Sequence, residues 1–322
     1  MPTSNLTSTA GSYWNLPNYI GELFVVGENK TPLLNAIGAK VTLGGSMGRM
    51  VRDFQFVLSN YMELEAGAQP AITETDSLTA PNPTTFVPNQ SINVVQIFQR
   101  SISMSYAKLS GQDNLSGLTI HGEPKTIGDH YAEQVRMTLA QIAKDYEYSI
   151  INGLYNLPTA HDEAWKMRGL VQAITAGDMK KNASSAPLEK AFLNDVLRLM
   201  APVSPLKDMV MICNAWQRQK ISEIWAYAPE DRTYGGVSIQ KILTDFCEIG
   251  VMYVPQMPTD KILILDMDFI KPVYLPVPKK GIVFKEELAK IGASDKEQIY
   301  AQLGIDYFHA NNHGIIYGLT TS

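Results

Sequence analysis

The chain has 322 residues, of which 45 % are hydrophobic and 18 % charged, with a net charge of −5. That is enough apolar material for a sizeable core and a length of about two domains; it excludes a disordered chain, a coiled coil and a nucleic-acid reader built on a basic face. The two cysteines, Cys213 and Cys247, lack C-x-x-C neighbours, which excludes a zinc knuckle or a disulfide framework. Met1 to Ala10 is polar without a basic and then apolar run, so no secretory signal is read, and no uncharged apolar run approaches the ~20 residues that span a bilayer. The pattern is that of a soluble protein made in a reducing cytoplasm. The charged fraction lies below the usual ~25 %. Interface cores are depleted in Lys, Glu and Asp, so contact with other protein and a low-charge monomer are equally open.

Residues 1–48 are loosely organised, with a short helix over Tyr19–Phe24 and a second over Thr31–Gly38. In the second, Thr31 is the N-cap, Pro32 the first helical residue and Gly38 the stop. Residues 49–66 alternate with period 2: Phe54, Phe56, Leu58, Met62 and Leu64 fall on one face of a half-buried strand. A second strand over 91–108 places Ile92, Val94, Phe98, Ile102, Met104 and Tyr106 on one face and Ser101, Ser103 and Ser105 on the other. Both exceed the ~5–6 residues of an ordinary strand. Between them Ala66–Gln90 holds Pro70, Pro81, Pro83 and Pro88 and shows no period. So long a structureless stretch argues against a compact domain. Two strands with a Pro-rich tip make an arm, and its edges and apolar side chains need cover from a neighbouring subunit.

Residues 129–152 predict a long helix, with Tyr131, Val135, Leu139, Ile142, Tyr146 and Ile150 in one stripe and Asn152-Gly153 as the stop. At 1.5 Å per residue it measures about 36 Å, a structural spine. Arg168–Ile174 reads as a short strand. Ser185 caps a helix with Phe192, Val196, Leu199 and Met200 on its buried face and Pro202 beyond its end. Asp208–Cys213 reads as a strand and Trp216–Tyr227 as a helix with Ile221, Ile224, Trp225 and Ala228 inward. Short strands follow at 249–255, 261–265 and 273–277, and the alternation predicts an α/β unit. Gln298–His309 and Gly314–Leu319 read as antiparallel strands joined at Ala310–His313.

Gly44-Gly45-Ser46-Met47-Gly48 matches the G-x-S-x-G nucleophile elbow, a strand-to-helix turn that exposes the serine oxygen. Here a strand follows Gly48, so the reading is a hinge. His309 and His313 have a spacing that serves metal only on a helix face, and strands flank them; His121, His130 and His161 stand singly. Asp266 and Asp268 lack a third acid or a calcium loop. No phosphate-binding glycine loop occurs, no segment is strongly basic, and no nucleophile, base and oxyanion set assembles. No catalytic residue, cofactor site or metal site is read, and the protein is expected not to be an enzyme.

The run Asn93-Val94-Val95-Gln96-Ile97-Phe98-Gln99-Arg100, continuing as Ile102-Ser103-Met104-Ser105, resembles the second extended-loop strand of tailed-phage major head proteins. The spine-helix segment Leu139–Tyr148, the stop Asn152-Gly153-Leu154, the turn Lys166-Met167-Arg168-Gly169-Leu170 and the last strand His313–Leu319 are similar to that family in the same order, over roughly 30–320. The resemblance implies an α+β tailed-phage major capsid fold. Its expected parts are an N-terminal arm (1–48), an extended loop (49–111), a peripheral domain with the spine helix (112–205, spine 129–153), an axial α/β domain (206–290) and C-terminal strands returning to both domains (291–322). It implies a virion shell protein that assembles with itself into pentamers and hexamers around double-stranded DNA, as an icosahedral or prolate head formed in the bacterial cytoplasm. Scaffolding, portal and decoration proteins are further expected partners, DNA contact is expected to be non-specific, and no membrane is involved. A start at Met1 with a short polar arm implies a separate scaffolding protein or none. The expected inter-subunit residues are Phe54, Phe56, Leu58, Met62, Ile92, Val94, Phe98 and Arg100. Some relatives crosslink a Lys to an Asn between subunits; candidates such as Lys108 or Lys125 are not assigned to that chemistry. An encapsulin compartment sharing the fold is the alternative shell, and a serine hydrolase using Ser46 is the alternative of another class.

Overall fold

Two β-sheets and one long helix organise the chain in a computed structural model, which describes residues 22–23, 30–43, 48–59, 68–80, 90–107, 119–120, 123–124, 130–225, 228–234, 237–290 and 292–321. The helices are α1 (Pro32–Leu43), α2 (Glu74–Ser77), α3 (His130–Asn152), α4 (Leu170–Ala176), α5 (Lys190–Met200) and α6 (Ala215–Ile224). The strands are β1 (Arg49–Met50), β2 (Gln55–Val57), β3 (Ile92–Val94), β4 (Gln96–Ser105), β5 (Thr119–Ile120), β6 (Glu123–Pro124), β7 (Lys180–Asn182) and β8 (Met209–Cys213). They continue as β9 (Ala228–Tyr234), β10 (Val237–Leu243), β11 (Glu248–Tyr253), β12 (Lys261–Asp266), β13 (Lys271–Tyr274), β14 (Val283–Glu287), β15 (Ser294–Asp306) and β16 (Gly314–Tyr317).

The seven-stranded sheet runs β7-β16-β12-β8-β11-β10-β9. Its middle strands are apolar on both faces because both faces are covered. On β8, Val210 and Ile212 enter the core shared with α1, α3 and α4, while Met209, Met211 and Cys213 enter the core under α5 and α6. On β12 the same split sends Leu263 and Leu265 one way and Ile262 and Ile264 the other. The five-stranded sheet runs β1-β13-β15-β14, with β4 also paired to β15. α3 buries Leu139, Ile142, Tyr146 and Ile150 between the sheets, the stripe its spacing predicts. It ends at Asn152, where the Gly153 N–H donates to the Ser149 carbonyl (3.0 Å).

Several elements depart from the sequence reading. α1 continues through Gly38 to Leu43, because a mid-helix glycine costs only about 1 kcal/mol and Leu33, Leu34 and Ile37 are buried. Residues 170–176 are helix rather than strand, with Leu170, Ala173 and Ile174 inward; a short apolar run does not separate the two states by itself. α5 begins at Lys190, not Ser185, since Ser184 and Ser185 take φ of 51° and 65° and turn the chain first. Its buried face is Leu193, Val196, Leu197 and Met200, and Leu199 points outward at 44 % exposure. α6 is capped by Asn214 and stops at Ile224, so Ala228 begins β9 instead of lying in the helix. The last two strands are not a hairpin: β15 lies in the five-stranded sheet, whereas β16 pairs with β12 and β7 in the other. The long first arm strand reduces to β1 and β2 among the described residues. The β9–β10 hairpin and β14 had no counterpart in the sequence reading. Of the helix expected over Tyr19–Phe24, only Glu22 and Leu23 are described, both helical; Asp129, where the long helix is expected to begin, lies outside the described residues.

β7 and α5, expected with the spine helix, belong to the seven-stranded sheet and its outer core, while β13 and β14, expected with the α/β unit, join the five-stranded sheet.

Candidate assembly surface

β2 pairs antiparallel with β3, Gln55 opposite Val94 and Val57 opposite Ile92, so the two limbs of the 49–108 excursion meet at its root. The root is fastened by Asp306, at the end of β15 and 1 % exposed. Its carboxylate accepts from Arg49 Nη1 (2.8 Å), Ser59 Oγ (2.6 Å), the Ser59 N–H (3.2 Å) and the Phe308 N–H (3.0 Å). Arg49 Nη1 also donates to the Val57 carbonyl (2.7 Å). A buried charge persists only when paired and hydrogen-bonded in this way. Asn93, fully buried on β3, forms a second fastening. Its Nδ2 donates to the carbonyls of Ile305 (3.0 Å) and Arg168 (3.4 Å), and its Oδ1 accepts from the N–H of Arg168 (2.8 Å) and Val94 (2.9 Å). Both donors and both acceptor positions of the amide are used.

The structure divides the eight expected interface residues. Phe56, Leu58, Val94 and Phe98 are 5 %, 3 %, 0 % and 6 % exposed and lie in this chain's own core. Alternation marks a buried face but not what covers it. Here β4 pairs with β15 from Gln96 opposite Leu303 to Ser105 opposite Ser294 and lies on α3. The Phe98 ring meets Tyr146 edge-on at 5.5 Å, and the Tyr146 hydroxyl donates to the Gly304 carbonyl (2.8 Å). Phe54 is half-buried and stacks on Trp165 at 5.0 Å. Ile92 is 37 % exposed. Arg100 is exposed and grips Asp145 with Nε (3.0 Å) and Nη2 (2.6 Å). Met62 lies outside the described residues.

Two open grooves flank β4 and meet at Gln96 and Ile97. One, of about 520 Å³, is lined by Pro158, His161, Trp165 and Lys166; the other, of about 470 Å³, by Arg100, Asp145 and Tyr148. Ile97 and Tyr148 are exposed along them. Residues 68–80 are exposed throughout. Within them α2 closes a capping box: Thr73 Oγ1 accepts from the Asp76 N–H, and the Asp76 carboxylate accepts from the Thr73 N–H and hydroxyl. The Thr73 hydroxyl, then its amide, hold the Asp76 carboxyl below the usual carboxylate range. The segment thus has local order, yet Ile72 and Leu78 are 72 % and 85 % exposed.

The remaining candidates do not converge. Ser46 lies outside the described residues, as do His121, Lys108 and Lys125. His309 Nδ1 accepts from the Asn311 N–H. His313 is fully buried: Nδ1 accepts from the Asp266 N–H (3.2 Å), so Nε2 carries the proton and donates to the Tyr307 carbonyl (2.8 Å). Both ring nitrogens are occupied, and burial, opposed by that carbonyl, lowers its pKa to about 4. Asp266 is buried and caps the turn at Asp268, which is exposed. Among the described residues no three or more His, Cys, Asp or Glu gather as a metal site, and no helix is long and apolar enough to cross a membrane. The sequence reading missed Asp306, Asn93 and Glu147. Asn93 and Asp306 are each a lone polar residue inside an apolar run, which is the signal that would have found them; Glu147, near Lys144, Asp145 and Ser149, carries no such signal.

The model of the family described as SU10 major capsid protein matches residues 3–320. No curated protein sequence matches the chain significantly. Among solved structures, a chain of the cyanophage A-1(L) capsid asymmetric unit is similar at 10 % identity and TM-score 0.57, over 91 % of this chain and 93 % of that one. A chain of the satellite phage P4 procapsid is similar at 12 % identity and TM-score 0.56, over 90 % and 98 %. The SrpI encapsulin of Synechococcus elongatus is similar at 11 % identity and TM-score 0.52, over 87 % and 88 %. At these identities the structures show a shared fold.

Proposed function

Because the chain belongs to the SU10 major capsid protein family, whose members are structural shell proteins of the virion that associate with themselves, we propose that it builds a tailed-phage head by seating the 68–80 segment of each copy on the β4–α3 grooves of a neighbour. The observation that carries this reading is the locally capped α2 with Ile72 and Leu78 in water, on the same chain as open grooves that present Ile97 and Tyr148. Covering both sets removes apolar area from water at about 25 cal/mol per Å². Of the expected inter-subunit residues, Ile92 and Phe54, at the root from which the segment departs, and Arg100, in the groove beside β4, are retained in this reading.

In this reading copies gather as pentamers and hexamers in the bacterial cytoplasm, with scaffolding, portal and decoration proteins as further partners and non-specific contact to packaged DNA. The role is structural, without an enzymatic step at Ser46. The peripheral part is the five-stranded sheet with α3, and the axial part the seven-stranded sheet with α5 and α6. The family match favours a phage head over an encapsulin compartment, whose likeness rests on the fold. Replacing Ala66–Gln90 by a short Gly/Ser turn tests the reading. The expected outcome is an unchanged circular dichroism spectrum and thermal melt together with loss of fast-sedimenting assemblies. Normal shells from the shortened protein would refute it.

A further inference from the structure

Glu147 is a glutamate on the spine helix with no exposure to water. It faces the N-terminus of α1: Oε2 accepts from the Leu34 N–H (2.9 Å), and Leu33 and Ile37 of α1 and Ala143, Ile150 and Ile151 of α3 belong to one buried apolar cluster. Its other oxygen, Oε1, is buried with no hydrogen-bond partner among the described residues, and so is Thr31 Oγ1 at the start of α1. An ionised carboxylate needs acceptors' worth of donors on both oxygens, whereas a protonated one carries its own hydrogen on the oxygen that accepts nothing. We propose that Glu147 is a proton-dependent latch for the N-terminal arm: α1 stays docked on α3 while the carboxyl is uncharged and loosens when it ionises.

The electrostatics agree. Burial raises the Glu147 carboxyl from its ordinary value near 4.5 to about 8, against the opposing pull of the Leu34 and Leu33 amides. Among the described residues no charged side chain contributes to that shift. Lys144, one turn away on α3, is half-buried, and Tyr146 is engaged with Gly304. On β4, Arg100 pairs with Asp145; Lys241 of β10 and Glu248 of β11 pair with each other. α4 carries no titratable residue. Lys30 precedes α1; β9 carries Glu230, Asp231 and Arg232, and β13 carries Lys271 and Tyr274. Undocking α1 exposes Glu147 to water and returns it to its ordinary value. The undocked form therefore holds fewer protons between pH 4.5 and about 8, and docking weakens as pH rises across that window, by at most tenfold per pH unit.

Hydrogen exchange of the intact protein, corrected for intrinsic rates, reads this at the α1 peptide. The expected result is an opening constant for α1 about tenfold larger at pH 8 than at pH 6.5, with the α5 peptide unchanged. Glu147→Gln, which keeps an acceptor for the Leu34 amide, should open equally at both values. A wild-type α1 whose protection does not change with pH would overturn the latch, whether or not the variant folds. So would a Glu147→Gln protein that retains the wild-type pH dependence. Either result leaves the shell reading intact, because neither depends on assembly.

Discussion

Asp306→Ala should loosen the root of the extended loop more than it disturbs either sheet. The substitution removes the acceptor for Arg49 Nη1, Ser59 Oγ and the amides of Ser59 and Phe308. Deleting one partner of a buried ion pair costs about 3–5 kcal/mol. The Arg49 side chain is 35 % exposed and the Asp306 side chain 2 %, and Ser59 and Phe308 are half-buried. The orphaned donors can therefore reach water, which places the effect at the lower end, about 3 kcal/mol. That is roughly two powers of ten in the opening of residues 48–59. Hydrogen exchange on that peptide is the assay, with the α5 peptide as internal reference. A double-mutant cycle with Arg49→Ala should return a coupling of about 1–2 kcal/mol. Native protection of 48–59 in Asp306→Ala, or strictly additive single effects, would refute the clamp.

Gly169→Ala places a Cβ 2.4 Å from the Gly153 nitrogen and 2.8 Å from the Ile151 carbonyl oxygen. Both are backbone atoms that cannot rotate away, so a loss of about 3 kcal/mol and a melting temperature lowered by at least about 5 °C are expected; an unchanged melt would show that the α3–α4 turn is loose. His313, neutral in the fold with a pKa lowered to about 4, takes up a proton on unfolding below its ordinary 6.5. Its contribution is complete above 6.5 and declines as pH falls toward 4. Between pH 6.5 and 5 the urea midpoint of the wild type should fall relative to that of His313→Gln; a difference between the two that does not change with pH would remove His313 from the account.

Long, strongly periodic elements were legible in the sequence. The Tyr131–Ile150 stripe gave α3, and the alternation through Phe98, Ile102 and Met104 gave β4, because each pattern extends over enough residues to fix its period. Short runs were not. Leu170–Ile174 reads equally as strand or helix, and the burial of Ala173 and Ile174 is settled only by what α4 packs against. β15 and β16 are adjacent in sequence and carry turn residues between them, yet they enter different sheets, a choice made by the two-sided burial of Ile315 and Ile316. What covers an apolar face is likewise not legible from its period. Phe56, Leu58, Val94 and Phe98 are apolar because they are covered, but their cover is β15, α3 and the root of the loop in the same chain. The exposed Ile72, Leu78 and Ile97 carry no period that would have singled them out.

Electron microscopy of the purified protein under assembly conditions tests the central claim most directly. The account predicts closed shells or capsomer rings in which the 68–80 segment of one copy lies across β4 and α3 of the next. A population of monomers or small discrete oligomers at every concentration and salt tried, with that segment free in solvent, would contradict it.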